Sequence, residues 1–97
     1  MQFVITAYDG TDEDALNRRM SVREAHIDGA KVLKDSGKLL AGGAILNEAE
    51  EMIGSTMYVE FDTRDELDQW LNNDPYVTGG VWLDISVQTI RLAIKPG

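Results

Sequence analysis

The chain has no cysteine, one histidine and two prolines, and only nine lysines and arginines stand against seventeen aspartates and glutamates. Without thiols there is no structural disulfide, thiolate-bound zinc, iron–sulfur cluster or cysteine nucleophile. A single imidazole leaves a mononuclear metal site short of its usual ligands, although carboxylates alone can hold a hard cation. The formal net charge of −8 argues against nucleic acid, whose binding needs a clustered basic surface, and against an anionic membrane surface. No apolar run approaches the roughly 18 residues of a membrane span. The opening Met1–Asp9 lacks the basic start and apolar run of a signal peptide, so a cytoplasmic protein is expected.

What is present is an ordinary globular composition. The 97 residues are 43% hydrophobic and 27% charged, which fits a single domain spanning 1–97. A chain this short buries only about 60–65% of the surface its unfolded form exposes, so association with a second copy would help it.

The punctuation predicts four strands and two helices. Phe3–Tyr8 alternates as a strand and ends at the turn dipeptide Asp9-Gly10. Thr11 and Asp14 have the spacing of a capping box, and the helix they start is expected to reach about Ser36, with Gly37 as its stop. Leu39–Leu46 and Gly54–Phe61 read as the next two strands, joined by an acidic connection. Thr63 and Glu66 repeat the capping-box spacing for a helix carrying Leu67, Trp70 and Leu71. It must stop near Asn73, because a residue preceding proline is pushed out of the α region. Tyr76–Gly80 is expected to be a loop or short turn, and Val81 to about Ile94 a long last strand with a phase flip after Thr89.

The order βαββαβ is that of an α+β, ferredoxin-like fold, with two helices covering one face of a four-stranded antiparallel sheet. The other face would show Val4, Tyr8, Tyr58 and Trp82 to water. That is more apolar surface than a monomer usually exposes, so a homodimer is expected to cover it.

On a wheel of roughly 100° per residue, Leu16, Met20, Ile27, Ala30 and Leu33 of the first helix share one side. Arg19, Arg23 and His26 fall within the same arc. Two guanidiniums and an imidazole facing inward are costly unless something anionic or polar meets them. The arginines favour a neutral imidazole, the form suited to general acid–base work, and a carboxylate on one ring nitrogen would fix its tautomer. Asp35 lies on the far side of that helix. Asp74, at the forced helix stop beside Pro75, is the better partner, although an aspartate there is also a common helix-end residue. The guanidinium forks of Arg19 and Arg23 suit carboxylate, phosphate or enolate oxygens, or else pair with acidic residues of the chain itself. Ser55 beside Gly54, and Tyr76 beside Asp74, are further candidates for touching a small ligand.

These segments resemble the YCII family of small dimeric α+β barrel proteins, which has muconolactone-isomerase-like relatives. The resemblance is carried by Leu16-x-x-Arg19-x-x-x-Arg23-x-x-His26, by Gly37-Lys38-Leu39-Leu40-Ala41-Gly42-Gly43, by Gly54-Ser55-Thr56 and by Asp74-Pro75-Tyr76-Val77-x-x-Gly80-Val81. With Phe3-Val4-Ile5-x-Ala7 it spans nearly the whole chain. It implies a dimeric α+β barrel, and a His–Asp pair that falls on His26 and Asp74. One relative is associated with removing chloride from a chlorinated hydroxyquinol-type aromatic without a cofactor. The chain departs from the family at Gly43-Ala44, where others have Gly-Pro, and in the short loop that follows.

The expectation is therefore a cofactor-independent enzyme, with no metal, acting as a lyase, isomerase or dehalogenase on a small anionic or enolisable molecule. His26 would move the proton, Asp74 would orient it, and Arg19, Arg23, Ser55 and Tyr76 would bind substrate. The alternative is a non-catalytic dimer that binds a small molecule or regulates.

Overall fold

A computed structural model describes residues 1–95. The elements run β1 (Gln2–Asp9), α1 (Ala15–Asp35), β2 (Leu39–Leu46), β3 (Met52–Glu60), α2 (Arg64–Asn73), α3 (Pro75–Thr78) and β4 (Trp82–Ile90). The sheet has the order β2-β3-β1-β4 with every pair antiparallel, and this is the expected ferredoxin-like arrangement. Period-two alternation in β1 sends Phe3, Ile5 and Ala7 into the core under the helices. Asp9 continues that parity and is buried with them.

Five expectations need correction. The Thr11–Asp14 capping box does not form: Asp14 occupies the N-cap position without a side-chain hydrogen bond. The start of α1 is tied instead by Arg18, whose Nη1 and Nη2 donate to Asp12 Oδ2 and Oδ1 at 2.8 and 2.7 Å. That contact pulls the Asp12 carboxyl down to about 2. The second capping box does form, with Glu66 N donating to Thr63 Oγ1 at 3.2 Å. The predicted loop after α2 contains the short helix α3.

The last strand ends at Ile90, and the chain then leaves the sheet as Leu92 N donates to Gln2 Oε1. Its irregularity lies at the other end, where the register shifts between Tyr8↔Asp84 and Asp9↔Trp82. Leu83 is the extra residue there, and one added residue reverses side-chain parity. Trp82 is therefore turned to the helix side and is 3% exposed, not on the outer face as expected. Val4, Tyr8 and Tyr58 stay on that outer face.

Along α1 the deepest line is Ala15, Arg19, His26 and Leu33, with half-buried Val22 and Gly29 between them. Leu16 and Met20 lie to the side, 37% and 51% exposed. The helix thus presses two polar residues, rather than its largest apolar ones, against the sheet. No helix among the described residues is long and apolar enough to cross a membrane.

Candidate active site

Asp74 sits at the junction of two helices. Its backbone is extended (φ −68°, ψ 137°), which ends α2, and Pro75 opens α3. Asp74 Oδ2 accepts from Tyr76 N at 3.0 Å, capping α3. The same carboxylate accepts from His26 Nδ1, 2.8 Å from Oδ2 and 3.0 Å from Oδ1. Both side chains are nearly sealed from solvent, at 8% and 2% exposure. Because a carboxylate only accepts, Nδ1 carries the proton, and Nε2 is the ring nitrogen left without a partner among the described residues.

Tyr76 stacks on the imidazole with ring centres 3.9 Å apart, and Trp82 meets it edge-on at 5.5 Å. Burial pushes the Tyr76 phenol above its ordinary value, against a partial downward pull from the charges of Arg19 and Arg23.

A second buried network adjoins the first. Arg19 Nη1 lies 3.0 and 3.1 Å from the two oxygens of Asp9, and Nη2 donates to Ser55 Oγ at 2.9 Å. Trp82 Nε1 donates to the same Oγ at 3.1 Å. The guanidinium also lies 4.7 Å from the centre of the Tyr76 ring, and its Nε is buried without a partner. The charge of Arg19 is thus committed to Asp9. Arg23 is exposed and makes no ion pair among the described residues.

Both networks border one cavity of about 270 Å³ between α1, β2 and β3. Arg19, Arg23, His26, Ser55 and Tyr76 form its polar end, while Ile27, Ala30, Leu39 and Met57 line the rest beside Gly42 and Gly43. All the sequence-predicted site residues except Asp74 line it directly, and Asp74 touches His26, which does. Four larger grooves, of about 630, 560, 450 and 400 Å³, contain neither His26 nor Ser55, although Asp74 lines the first and Arg23 the last. Among the described residues no three His, Asp or Glu side chains are grouped to hold a metal ion.

Sequence reasoning missed Asp9 and Trp82. Asp9 carried a usable signal, since it continues the inward parity of Phe3, Ile5 and Ala7. Trp82 carried none, because its orientation depends on the bulge.

The YCII-related domain family matches this chain over residues 1–91. The chain belongs to that family. Among its YCII relatives is Protein YciI of Escherichia coli O6:H1 (strain CFT073), 36% identical and covering 94% of this chain and 97% of its own length. A solved structure with the same fold is the 5-chloro-2-hydroxyhydroquinone dehydrochlorinase TftG of Burkholderia phenoliruptrix AC1100, in complex with 2,5-dihydroxybenzoquinone. It superposes with a TM-score of 0.82 at 26% identity, covering 94% of each chain. A dimeric ferredoxin-like protein of unknown function from Jannaschia sp. CCS1 shares the fold at 14% identity and a TM-score of 0.52, over 94% of this chain and 98% of its own.

Proposed function

We propose that this YCII protein is a cofactor-independent enzyme, working as a cytoplasmic homodimer, in which His26 and Asp74 carry out general acid–base chemistry on a small anionic or enolisable molecule. One observation carries the reading: a buried imidazole that helps to line the cavity is anchored through Nδ1 to a carboxylate, while its Nε2 makes no hydrogen bond among the described residues. Nε2 takes a proton from a carbon or oxygen made acidic by a neighbouring carbonyl. Asp74 balances the imidazolium that forms. Arg23 supplies the uncommitted positive charge for the resulting anion, and Arg19, Ser55 and Tyr76 position it. Return of the proton to a different carbon gives an isomerase. Loss of a leaving group from the neighbouring carbon gives a lyase or dehydrochlorinase. The likeness to a dehydrochlorinase solved with a small quinone supports a substrate of that size and oxygenation. Proton transfer of this kind contributes about 10²–10⁴ in rate, and positioning in the cavity adds to it. The dimer reading rests on Val4, Tyr8 and Tyr58 on the outer face of the sheet.

The test offers 5-chloro-2-hydroxyhydroquinone and a panel of enolisable acids to the enzyme in D2O, following chloride release and exchange of C–H protons. Wild type is expected to turn over at least one compound, and His26→Gln is expected to abolish turnover while affinity stays within a few-fold. A wild type that binds compounds but exchanges no proton on any of them overturns the catalytic reading in favour of a binding protein.

A further inference from the structure

Ser55 Oγ has two lone pairs and one proton to place. Arg19 Nη2 donates to it over 2.9 Å and Trp82 Nε1 over 3.1 Å. Guanidinium and indole nitrogens are donors only, so neither contact can reverse. Both lone pairs are occupied, and the hydroxyl proton must point elsewhere. Among the described residues no acceptor takes it, although the residue is only 3% exposed and forms part of the cavity wall. Both donors are held from behind, Arg19 by Asp9 and Trp82 by its packing on His26 and Tyr76. The hydroxyl is therefore oriented before any ligand arrives.

Elsewhere on the same wall the polarity is opposite. With Nδ1–H given to Asp74, His26 in its neutral form offers only the Nε2 lone pair.

We infer that Ser55 is a fixed hydrogen-bond donor of this site, so that the ligand must place an oxygen without a proton (a carbonyl, enolate or phenolate) at Ser55 and a proton-bearing atom at His26. Small conjugated molecules that contain both groups, enolisable ketones and vinylogous acids, form the matching chemical class. A neutral hydroxyl that accepts from Ser55 finds only donors in Arg19 and Arg23, and is held there only if its own proton reaches His26 Nε2, whereas an oxygen without a proton needs no such second partner. The His26 half of this pattern rests on the dyad reading of the proposed function; the Ser55 half does not.

The test uses 4-nitrophenol, whose phenolate is coloured and whose phenol is not, bound across a pH series. It is run in an Arg23→Gln background, so that the exposed cation is not counted. The phenolate is expected to bind roughly tenfold or more better than the phenol, as a hydrogen bond to a charged acceptor implies. Ser55→Ala is expected to abolish most of that preference. Trp82→Phe vacates one lone pair and lets Ser55 accept, so it too is expected to lower the preference, by tightening the neutral phenol. It carries the test if Ser55→Ala, which leaves two buried donors unpaired, does not fold. A preference unchanged by both substitutions, or absent at the start, overturns the assignment. Because no proton is transferred in this experiment, its failure leaves the dyad standing, and the dyad is tested separately by turnover.

Discussion

Tyr76 lies flat on His26, with the ring planes only 15° from parallel. Asp74 holds both partners of this stack, since it anchors His26 Nδ1 and caps the turn of α3 that carries Tyr76. One carboxylate thus places the imidazole and the ring stacked on it.

Asp74→Asn separates the two duties. Asparagine caps helices as well as aspartate does, so the thermal midpoint is expected to move by only a few degrees. The amide can accept from or donate to the ring, so the Nδ1–H tautomer is no longer enforced. Long-range 15N–1H correlation spectra should show a single tautomer of the neutral ring in wild type and a mixture in the variant. Turnover is expected to fall about 10²–10⁴-fold. A variant that retains both a single tautomer and full activity would remove Asp74 from the mechanism.

Tyr76 carries a pH dependence of stability. Burial holds its phenol protonated above the ordinary value of 10.0, so in mild alkali the folded state keeps a proton that the unfolded chain loses. Stability from this source is fully present below about pH 10 and is lost as pH rises through the raised folded value. Tyr76→Phe keeps the ring and deletes the titration. The Tyr76 hydroxyl makes no hydrogen bond among the described residues, so urea unfolding at pH 7 is expected to change by only about 0.5 kcal/mol. Above pH 10 the variant is expected to lose stability less steeply than wild type. Equal alkaline slopes would exclude this account.

Much of the fold was legible from local signals. Alternation in β1, the Thr63–Glu66 capping box and the helix stop before Pro75 each act within a few residues, and each appears where expected. The site was half legible. His26 and Asp74 stood out because an inward imidazole needs a partner and a proline pins the end of α2. Arg19 was correctly placed facing inward, but its partner Asp9 read as half of a turn dipeptide. Whether a guanidinium meets a ligand or its own chain depends on strand pairing that spacing does not encode. Trp82 was misplaced for a related reason: a single bulge residue, Leu83, reverses the parity of everything before it in β4.

The outer sheet face gives a prediction about assembly. Val4 and Tyr58 are direct partners across β1 and β3, the neighbouring strands at the middle of the sheet, with Tyr8 on the same face. A symmetric dimer that covers this face would bury the pair at its centre. Tyr58→Glu places a charge there and is expected to give a monomer by sedimentation at concentrations where wild type is dimeric. Wild type sedimenting as a monomer throughout would remove the dimer from the proposal.

The Arg19–Asp9 pair tests whether this buried charge serves the fold or the site. Its side chains are 4% and 2% exposed, so Asp9→Asn leaves a guanidinium buried without a counter-charge. The expected cost is about 3–5 kcal/mol, on the order of 15 °C or more in thermal midpoint for a chain of this length. The Arg18–Asp12 pair has shorter contacts, but its side chains are 33% and 54% exposed. Asp12→Asn is accordingly expected to leave the midpoint almost unchanged. The decisive variant is Asp9→Leu with Arg19→Met, since an apolar pair of similar volume often matches or exceeds a buried ion pair in stability. Recovery of the midpoint together with loss of 4-nitrophenolate binding would mean that the charges are kept for the cavity, where Arg19 orients Ser55. A double variant as unstable as Asp9→Asn would assign the pair to the fold instead, and one that recovers the midpoint and still binds the phenolate would show that neither the fold nor the cavity needs the charges.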